Sequence, residues 1–150
     1  MPNPATIRDI VHGVSQQIDL GRWIRDLVRL VDAPIAYAGF TIGDEGAVSP
    51  NMRRVTVQLR DRLERTLEGR RLFFFYIATS DGGDPAGTQT VSVTTGALVE
   101  NIGSNDQALW VMTDSSGVAV IDITVVGASS RYLYADVMGE QTGSGETAWA

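Results

Sequence analysis

The chain has 150 residues, a formal net charge of −6 and no Cys or Lys, so all 12 of its basic residues are Arg. This length allows one core that buries roughly 68–70% of the unfolded surface, and the lack of Cys excludes disulfides, thiol chemistry and Cys-based zinc sites. Residues 72–150 hold one Arg against nine acidic residues, which disfavours a nucleic-acid partner because such a surface repels phosphate.

Residues 3–32 are predicted to be helical. Asn3 can cap the helix, and Pro4 suits its first position. Apolar residues then recur at the spacing of one helical face. They are Ile7, Ile10, Val11, Val14, Ile18, Leu20, Trp23, Ile24, Leu27, Val28 and Val31. This helical segment (residues 1–34) has Arg22, Arg25 and Arg29 on its opposite, solvated face. Its apolar face must pack on the chain's own β-domain or on another subunit.

From Ile35 onward the apolar period changes to two, which predicts strands. Residues 35–42 fit a strand or an extended part of a linker covering residues 35–52. Further strands are predicted over residues 53–61, 72–79, 90–95, 97–101, 107–113, 118–125 and 131–138. About seven short strands separated by turns favour an antiparallel sandwich over βαβ units. The last ten residues, 141–150, are predicted to be a flexible tail or an arm that orders only against a partner.

The stretch "MTDSSGVAVIDITV", residues 112–125, predicts a tight turn followed by a strand. Asp114 can accept a hydrogen bond from the backbone two residues on, and Gly117 tolerates a positive φ. The alternation that follows directs one set of side chains to the core, namely Ala119, Ile121, Ile123 and Val125. The next strand should direct Leu133, Ala135 and Val137 inward in the same way.

Residues 55–139 resemble the bacterial immunoglobulin-like (Ig-like) domains of the invasin and intimin type (Big-1-like). The pieces that carry the resemblance are "VTVQLRD", "LEGRRLFFFYIAT", "TDSSGVAVIDITV" and "GASSRYLYADVMG". The loop "RLERTLEG" and an irregular middle region depart from the family pattern. The resemblance implies a mainly β chain, with an Ig-like antiparallel β-sandwich over residues 53–140 that follows the N-terminal α-helical segment.

The same resemblance implies a function without catalysis, because such modules act as rigid spacers and as adhesive or subunit-contacting domains. The start "MPNPATIRDIVHG" lacks a basic region followed by an apolar stretch, so we expect the chain to fold in the cytoplasm where it is made. No apolar run approaches the length of a membrane span. Together these features suggest a virion structural protein of a tailed bacteriophage, as a head decoration or a neck or tail accessory subunit. Its expected partners are capsid, neck or tail subunits and copies of itself.

Enzymatic and metal chemistry have little support in the sequence. His12 is the only histidine, and it lies in the helical segment. No nucleophile elbow, zinc-protease motif, P-loop or dinucleotide fingerprint occurs. Asp81 with Asp84, and Asp106 with Asp114, could bind Ca²⁺, but they lack the alternating ligands of a calcium loop. We therefore expect no catalytic residues, no cofactor and no metal.

Aromatic residues give the strongest candidate interface in the β-region. If Leu109 and Val111 point inward, Trp110 points outward, and Tyr132 and Tyr134 are predicted to join it in an exposed patch. Such a patch suits a protein interface or the stacking of a sugar, so a cell-surface or glycan-binding adhesion module is the alternative function. The full set of predicted interface residues is Ile10, Val14, Trp23, Leu27, Val31, Trp110, Tyr132 and Tyr134.

Overall fold

The computed structural model describes residues 36–150, which form nine β-strands with no helix among them. The strands are β1 (Tyr37–Ile42), β2 (Met52–Arg60), β3 (Leu72–Ala78), β4 (Thr90–Thr95), β5 (Ala97–Ile102), β6 (Ala108–Met112), β7 (Val118–Thr124), β8 (Ser129–Val137) and β9 (Glu140–Trp149). The mainly β prediction is confirmed for this part of the chain.

The strands form two antiparallel sheets that enclose a common core. The smaller sheet has the order β1-β2-β7-β4 and the larger sheet has the order β5-β6-β3-β8-β9. Buried side chains from both sheets belong to one apolar cluster. The chain crosses between the sheets after β4, where Gly96 begins the path into β5. The described residues therefore have the sandwich-like arrangement that the sequence predicts.

Strict alternation of apolar side chains explains which faces meet. Val55, Val57 and Leu59 of β2 are fully buried, while the side chains between them face outward. The inward-facing residues expected on β7 and β8 are also buried, so this prediction is confirmed. Those residues are Ala119, Ile121, Ile123, Val125, Leu133, Ala135 and Val137.

The predicted helical segment lies outside the described residues, and so does His12. Five of the predicted interface residues also lie outside the described residues, namely Ile10, Val14, Trp23, Leu27 and Val31. Among residues 36–150, no helix is long and apolar enough to cross a membrane.

The flexible tail predicted for residues 141–150 is wrong, because these residues belong to β9. β9 pairs antiparallel with β8 over most of its length. Thr147 and Trp149 are buried, and Trp149 belongs to the core cluster. The Gly, Ser and Thr content that suggested flexibility is compatible with an edge strand, since the hydrogen bonds to β8 hold the backbone.

The sandwich also extends further toward the N-terminus than the predicted boundary at residue 53. Residues 35–42 are predicted to be either a strand or part of a linker, and most of them form β1. This strand pairs with β2 from Tyr37↔Arg60 to Ile42↔Val55. Ala38 is buried and Phe40 packs against the core. The residues after β1 make a turn, in which Gly43 N–H donates to the Arg54 carbonyl at 2.8 Å.

The turn between β6 and β7 has the geometry that its sequence predicts. Asp114 Oδ1 accepts hydrogen bonds from Ser116 N–H at 2.9 Å and Val118 N–H at 3.0 Å, and Gly117 has a φ of 74°. The buried Thr113 hydroxyl donates to the Gly69 carbonyl at 3.0 Å. These bonds fix the turn against the loop that leads into β3.

Asp61 organises the loop after β2 from a buried position. Its carboxylate accepts hydrogen bonds from Leu63 N–H at 2.8 Å, from Arg65 N–H at 3.0 Å and from Arg65 Nε at 2.7 Å. The hydrogen bond from the Arg65 side chain and those from the two backbone groups lower the pKa of Asp61 and outweigh the effect of burial, which raises it. Asp61 is therefore held as a carboxylate.

We expect the stability that Asp61 provides to be lost in acid. Because its pKa is lower in the folded chain than the ordinary 3.8, the stabilisation is complete above that value and declines as the pH falls below it toward the folded pKa. Urea unfolding of the wild type and of Asp61→Asn should show a large difference in midpoint at neutral pH and a smaller one in acid. An equal difference at both pH values would contradict this assignment.

Candidate interaction surface

Four aromatic side chains lie next to one another on the outer face of the larger sheet. Alternation along β3 buries Phe73, Phe75 and Ile77 and turns Phe74 and Tyr76 outward. Strand register then sets Trp110 of β6 beside Phe74 and Tyr134 of β8 beside Tyr76. We call Trp110, Phe74, Tyr76 and Tyr134 the aromatic row.

The rings of the aromatic row contact each other in sequence. The ring centroids of Phe74 and Trp110 are 5.2 Å apart with planes tilted by 53°. Those of Phe74 and Tyr76 are 5.9 Å apart, and Tyr76 stacks on Tyr134 at 4.8 Å with planes only 19° apart. These distances lie in the range of favourable aromatic pairs, so the rings support one another as a surface.

Tyr134 lies at the more deeply packed end of this row. Its side chain packs against Gly143, its register partner on β9, where an added Cβ would lie 2.8 Å from the Tyr134 ring. Its hydroxyl donates to Asp81 Oδ1 at 2.8 Å and accepts from Gly82 N–H at 2.6 Å. The bond from Gly82 lowers the pKa of Tyr134, but burial and the negative Asp81 outweigh it, so the pKa is raised. The phenol therefore stays neutral and anchors the loop after β3.

Tyr76 is the second phenol of the row. Burial raises its pKa, the hydrogen bond that Gln141 Nε2 donates to its hydroxyl lowers it, and the negative charges of Asp84 and Asp136 raise it. The net direction is upward. Both tyrosines thus contribute neutral rings, and carboxylates lie beside them.

The structure brings together only part of the patch that the sequence predicts. Trp110 faces outward, as predicted, between the buried Leu109 and Val111, but it is half-buried and not exposed. Tyr134 belongs to the row but is only 8% exposed, so the expectation of an exposed side chain is wrong: the loop at Asp81 and Gly82 covers it. Tyr132 lies on the same face next to Ala78, and it makes no ring contact with any described residue.

Phe74 and Tyr76 belong to the aromatic row but are not among the predicted interface residues. The alternation within "LFFFYIAT" could have identified them, because it places Phe74 and Tyr76 on the face opposite the core residues. Exposed apolar side chains extend the outer face beyond the row at two points, Leu72 at the start of β3 and Ile102 on the edge strand β5. The exposed Leu98 of β5 pairs with the inward-facing Val111 and therefore lies on the other side of the sheet.

The structure separates one of the two acidic pairs that the sequence suggested for calcium. Asp106 and Asp114 lie at opposite ends of β6, where each accepts backbone hydrogen bonds, Asp106 from Val91 and Asp114 from its own turn. Asp81 bonds to Tyr134. No group of three or more His, Cys, Asp or Glu side chains suited to a metal ion occurs within residues 36–150.

Comparison of the chain with protein-family models, with curated proteins and with solved structures finds no match.

Proposed function

We propose that the chain is a non-enzymatic structural protein of a tailed-bacteriophage particle, either a head decoration or a neck or tail accessory subunit. In this proposal the helical segment attaches the protein to the particle, and an Ig-like module is displayed. The partners are other virion proteins and copies of the chain itself, and the mature location is the virion.

The observation that carries the proposal is the aromatic row with its exposed apolar neighbours. Half-buried Trp, Phe and Tyr rings next to the exposed Leu72 and Ile102 are typical of a protein-contacting surface. The row lies on a sheet, so its rings keep fixed relative positions without a ligand. A rigid binding surface of this kind suits a subunit that has to be held in an assembly.

The strand order supports the Ig-like part of the proposal. An Ig domain of the variable type has sheets of the order A-B-E-D and G-F-C-C′-C″. In the orders β1-β2-β7-β4 and β9-β8-β3-β6-β5, the strands β1, β2 and β3 occupy the places of A, B and C, and β7, β8 and β9 occupy those of E, F and G. The three strands between them depart from the pattern. In chain order, β4 occupies the place of D, β5 that of C″ and β6 that of C′.

A double substitution of Trp23→Gln and Leu27→Gln in the full chain tests the proposed attachment. We expect it to abolish assembly in sedimentation velocity and incorporation into particles, because it removes two large apolar side chains from the predicted stripe. The circular dichroism of the sandwich should be unchanged. Arg22→Gln with Arg25→Gln, on the predicted polar face, is the matched control and should assemble as the wild type does. Normal incorporation of the Trp23 and Leu27 variant would refute the proposal.

A cell-surface or glycan-binding adhesion module is the second candidate, and the half-buried Trp110 ring favours it because indole faces stack on sugars. Binding on a glycan array that disappears in Trp110→Ala would support this candidate. Array binding that survives the substitution would contradict it.

A further inference from the structure

One line of side chains across the larger sheet has a carboxylate at each end and two aromatic rings between them. Strand register sets Glu100 of β5 beside Trp110 of β6. It also sets Phe74 of β3 between Trp110 and Asp136 of β8. Register partners share a face of the sheet, so the two carboxylates face outward with the rings. Three strand spacings of about 4.8 Å place Glu100 and Asp136 roughly 14 Å apart. We call these four residues the acid-flanked line.

The carboxylates of the acid-flanked line have no positive partner in the described part of the chain. Glu100 is exposed and makes no hydrogen bond or ion pair with residues 36–150. Asp136 accepts one hydrogen bond, from Gly139 N–H at 2.8 Å, and makes no ion pair there. The five strands of the larger sheet contain one basic residue, Arg131, which is buried and lies on the inner side with Leu133. The strands of the outer face therefore present negative charge without a cation of their own.

Further carboxylates lie beside the tyrosines of this face. Asp81 accepts the hydrogen bond of the Tyr134 hydroxyl. Burial contributes most to the raised pKa of Tyr76, and the negative charges of Asp84 and Asp136 also contribute to it. Negative charge thus extends along the aromatic row, so the face repels phosphate groups and attracts cations.

An arginine side chain fits this combination of rings and carboxylates. The guanidinium group is attracted to the faces of Trp and Phe rings, and its planar fork of donors can bond both oxygens of a carboxylate. Each ring of the acid-flanked line has a carboxylate as its neighbour on one side, Trp110 next to Glu100 and Phe74 next to Asp136. A lysine fits less well, because its ammonium group is a compact, strongly hydrated point charge.

We propose that the outer face of the larger sheet binds an arginine-bearing segment of a partner protein. One guanidinium group lies against Trp110 and Glu100, and a second lies against Phe74 and Asp136. An extended segment that crosses the strands supplies both groups from residues four positions apart, because four residues at about 3.3 Å span roughly 13 Å. This deepens the proposed function by naming the chemistry of a partner, and it rests on that proposal only in assigning the face to protein contact.

Titration of the full chain with short peptides, followed by NMR chemical shifts, tests the binding. The arginine probe is a Gly/Ser peptide with blocked ends and two Arg residues four positions apart. The lysine and glutamate probes carry Lys or Glu at the same positions. The arginine probe should shift the resonance of the Trp110 indole N–H, and its affinity should fall as NaCl is raised. The lysine probe should bind more weakly, and the glutamate probe should not bind.

A double substitution of Glu100→Gln and Asp136→Asn removes both charges and nearly keeps the shape of the side chains. We expect the dissociation constant of the arginine probe to rise at least about fivefold, because two exposed ion pairs are lost. Glu64→Gln with Glu68→Gln is the matched control. It removes the same charge from exposed positions in the loop between β2 and β3, and it should leave the dissociation constant unchanged.

Three outcomes would overturn the proposed arginine site. They are an arginine probe that leaves the Trp110 resonance unmoved, a double variant that binds the probe as tightly as the wild type, and equal losses in the double variant and its control. Equal losses would mean that only the net charge of the chain attracts the probe. None of these measurements depends on particle attachment, so their failure would leave the test with the Trp23 and Leu27 variant standing.

Discussion

Replacement of Trp149 by alanine is expected to lower the free energy of unfolding by about 3–5 kcal/mol, as the removal of a large core aromatic commonly does. Trp149 is the penultimate residue of the chain, yet it is only 3% exposed and packs within the core cluster. Alanine would leave a cavity at the edge between the sheets, which the neighbouring side chains can fill only in part.

Contacts around Trp149 hold the end of β9 to the smaller sheet. The Arg53 guanidinium carbon lies 5.6 Å from the Trp149 ring centroid, and Arg53 Nε donates to the Ala148 carbonyl at 2.8 Å. Ala150 N–H donates to Glu45 Oε2 at 2.8 Å. A side chain that only capped a frayed end would not be tied to the opposite sheet in this way. β9 is therefore a structural strand of the core.

Urea unfolding followed by circular dichroism measures the effect of Trp149→Ala. Met138→Ala is the matched control, because Met138 is 69% exposed and its truncation should change stability by less than about 0.5 kcal/mol. A loss below about 1 kcal/mol for Trp149→Ala would instead support the flexible tail that the sequence suggests.

The sequence predicts the parts of the fold that depend on local rules. The period-two alternation in β2, β7 and β8 identifies the buried face, because one residue of shift would turn every apolar side chain to water. The turn at Asp114 and Gly117 is equally local, since a side-chain acceptor and a positive φ are set by residue type. The same alternation identifies Trp110 as an outward-facing side chain.

The errors arise where a distant segment decides the outcome. β9 is an edge strand with few apolar residues, and only its pairing with β8 and the burial of Trp149 order it. Tyr134 faces outward by alternation, but the hydrogen bonds at Asp81 and Gly82 cover it from a loop more than fifty residues away. The aromatic row likewise depends on β3 lying between β6 and β8, which no local pattern specifies.

Substitution of Gly117 by alanine is expected to destabilise the sandwich by about 3 kcal/mol or more. A left-handed backbone costs a residue with a Cβ about 1–2 kcal/mol, and forcing an extra methyl group into a packed site typically costs about 1–3 kcal/mol. Both costs apply here, because φ is 74° and an added Cβ would lie 1.8 Å from the Leu67 carbonyl oxygen. That carbonyl belongs to backbone and cannot rotate away as a side chain would.

Relief of the clash would have to move the loop before β3, and three hydrogen bonds oppose the movement. Leu67 N–H donates to the Leu59 carbonyl at 2.9 Å, Leu59 N–H to the Gly117 carbonyl at 3.1 Å and Gly69 N–H to the Ser115 carbonyl at 2.8 Å.

Gly46→Ala is the control that separates the cost of the left-handed backbone from the cost of the clash, because Gly46 has a φ of 76° and no atom within 4 Å of an added Cβ. Urea unfolding should show a loss of about 1–2 kcal/mol for Gly46→Ala and a clearly larger loss for Gly117→Ala. Equal losses would mean that the loop yields freely, and that the turn is not held against the start of β3.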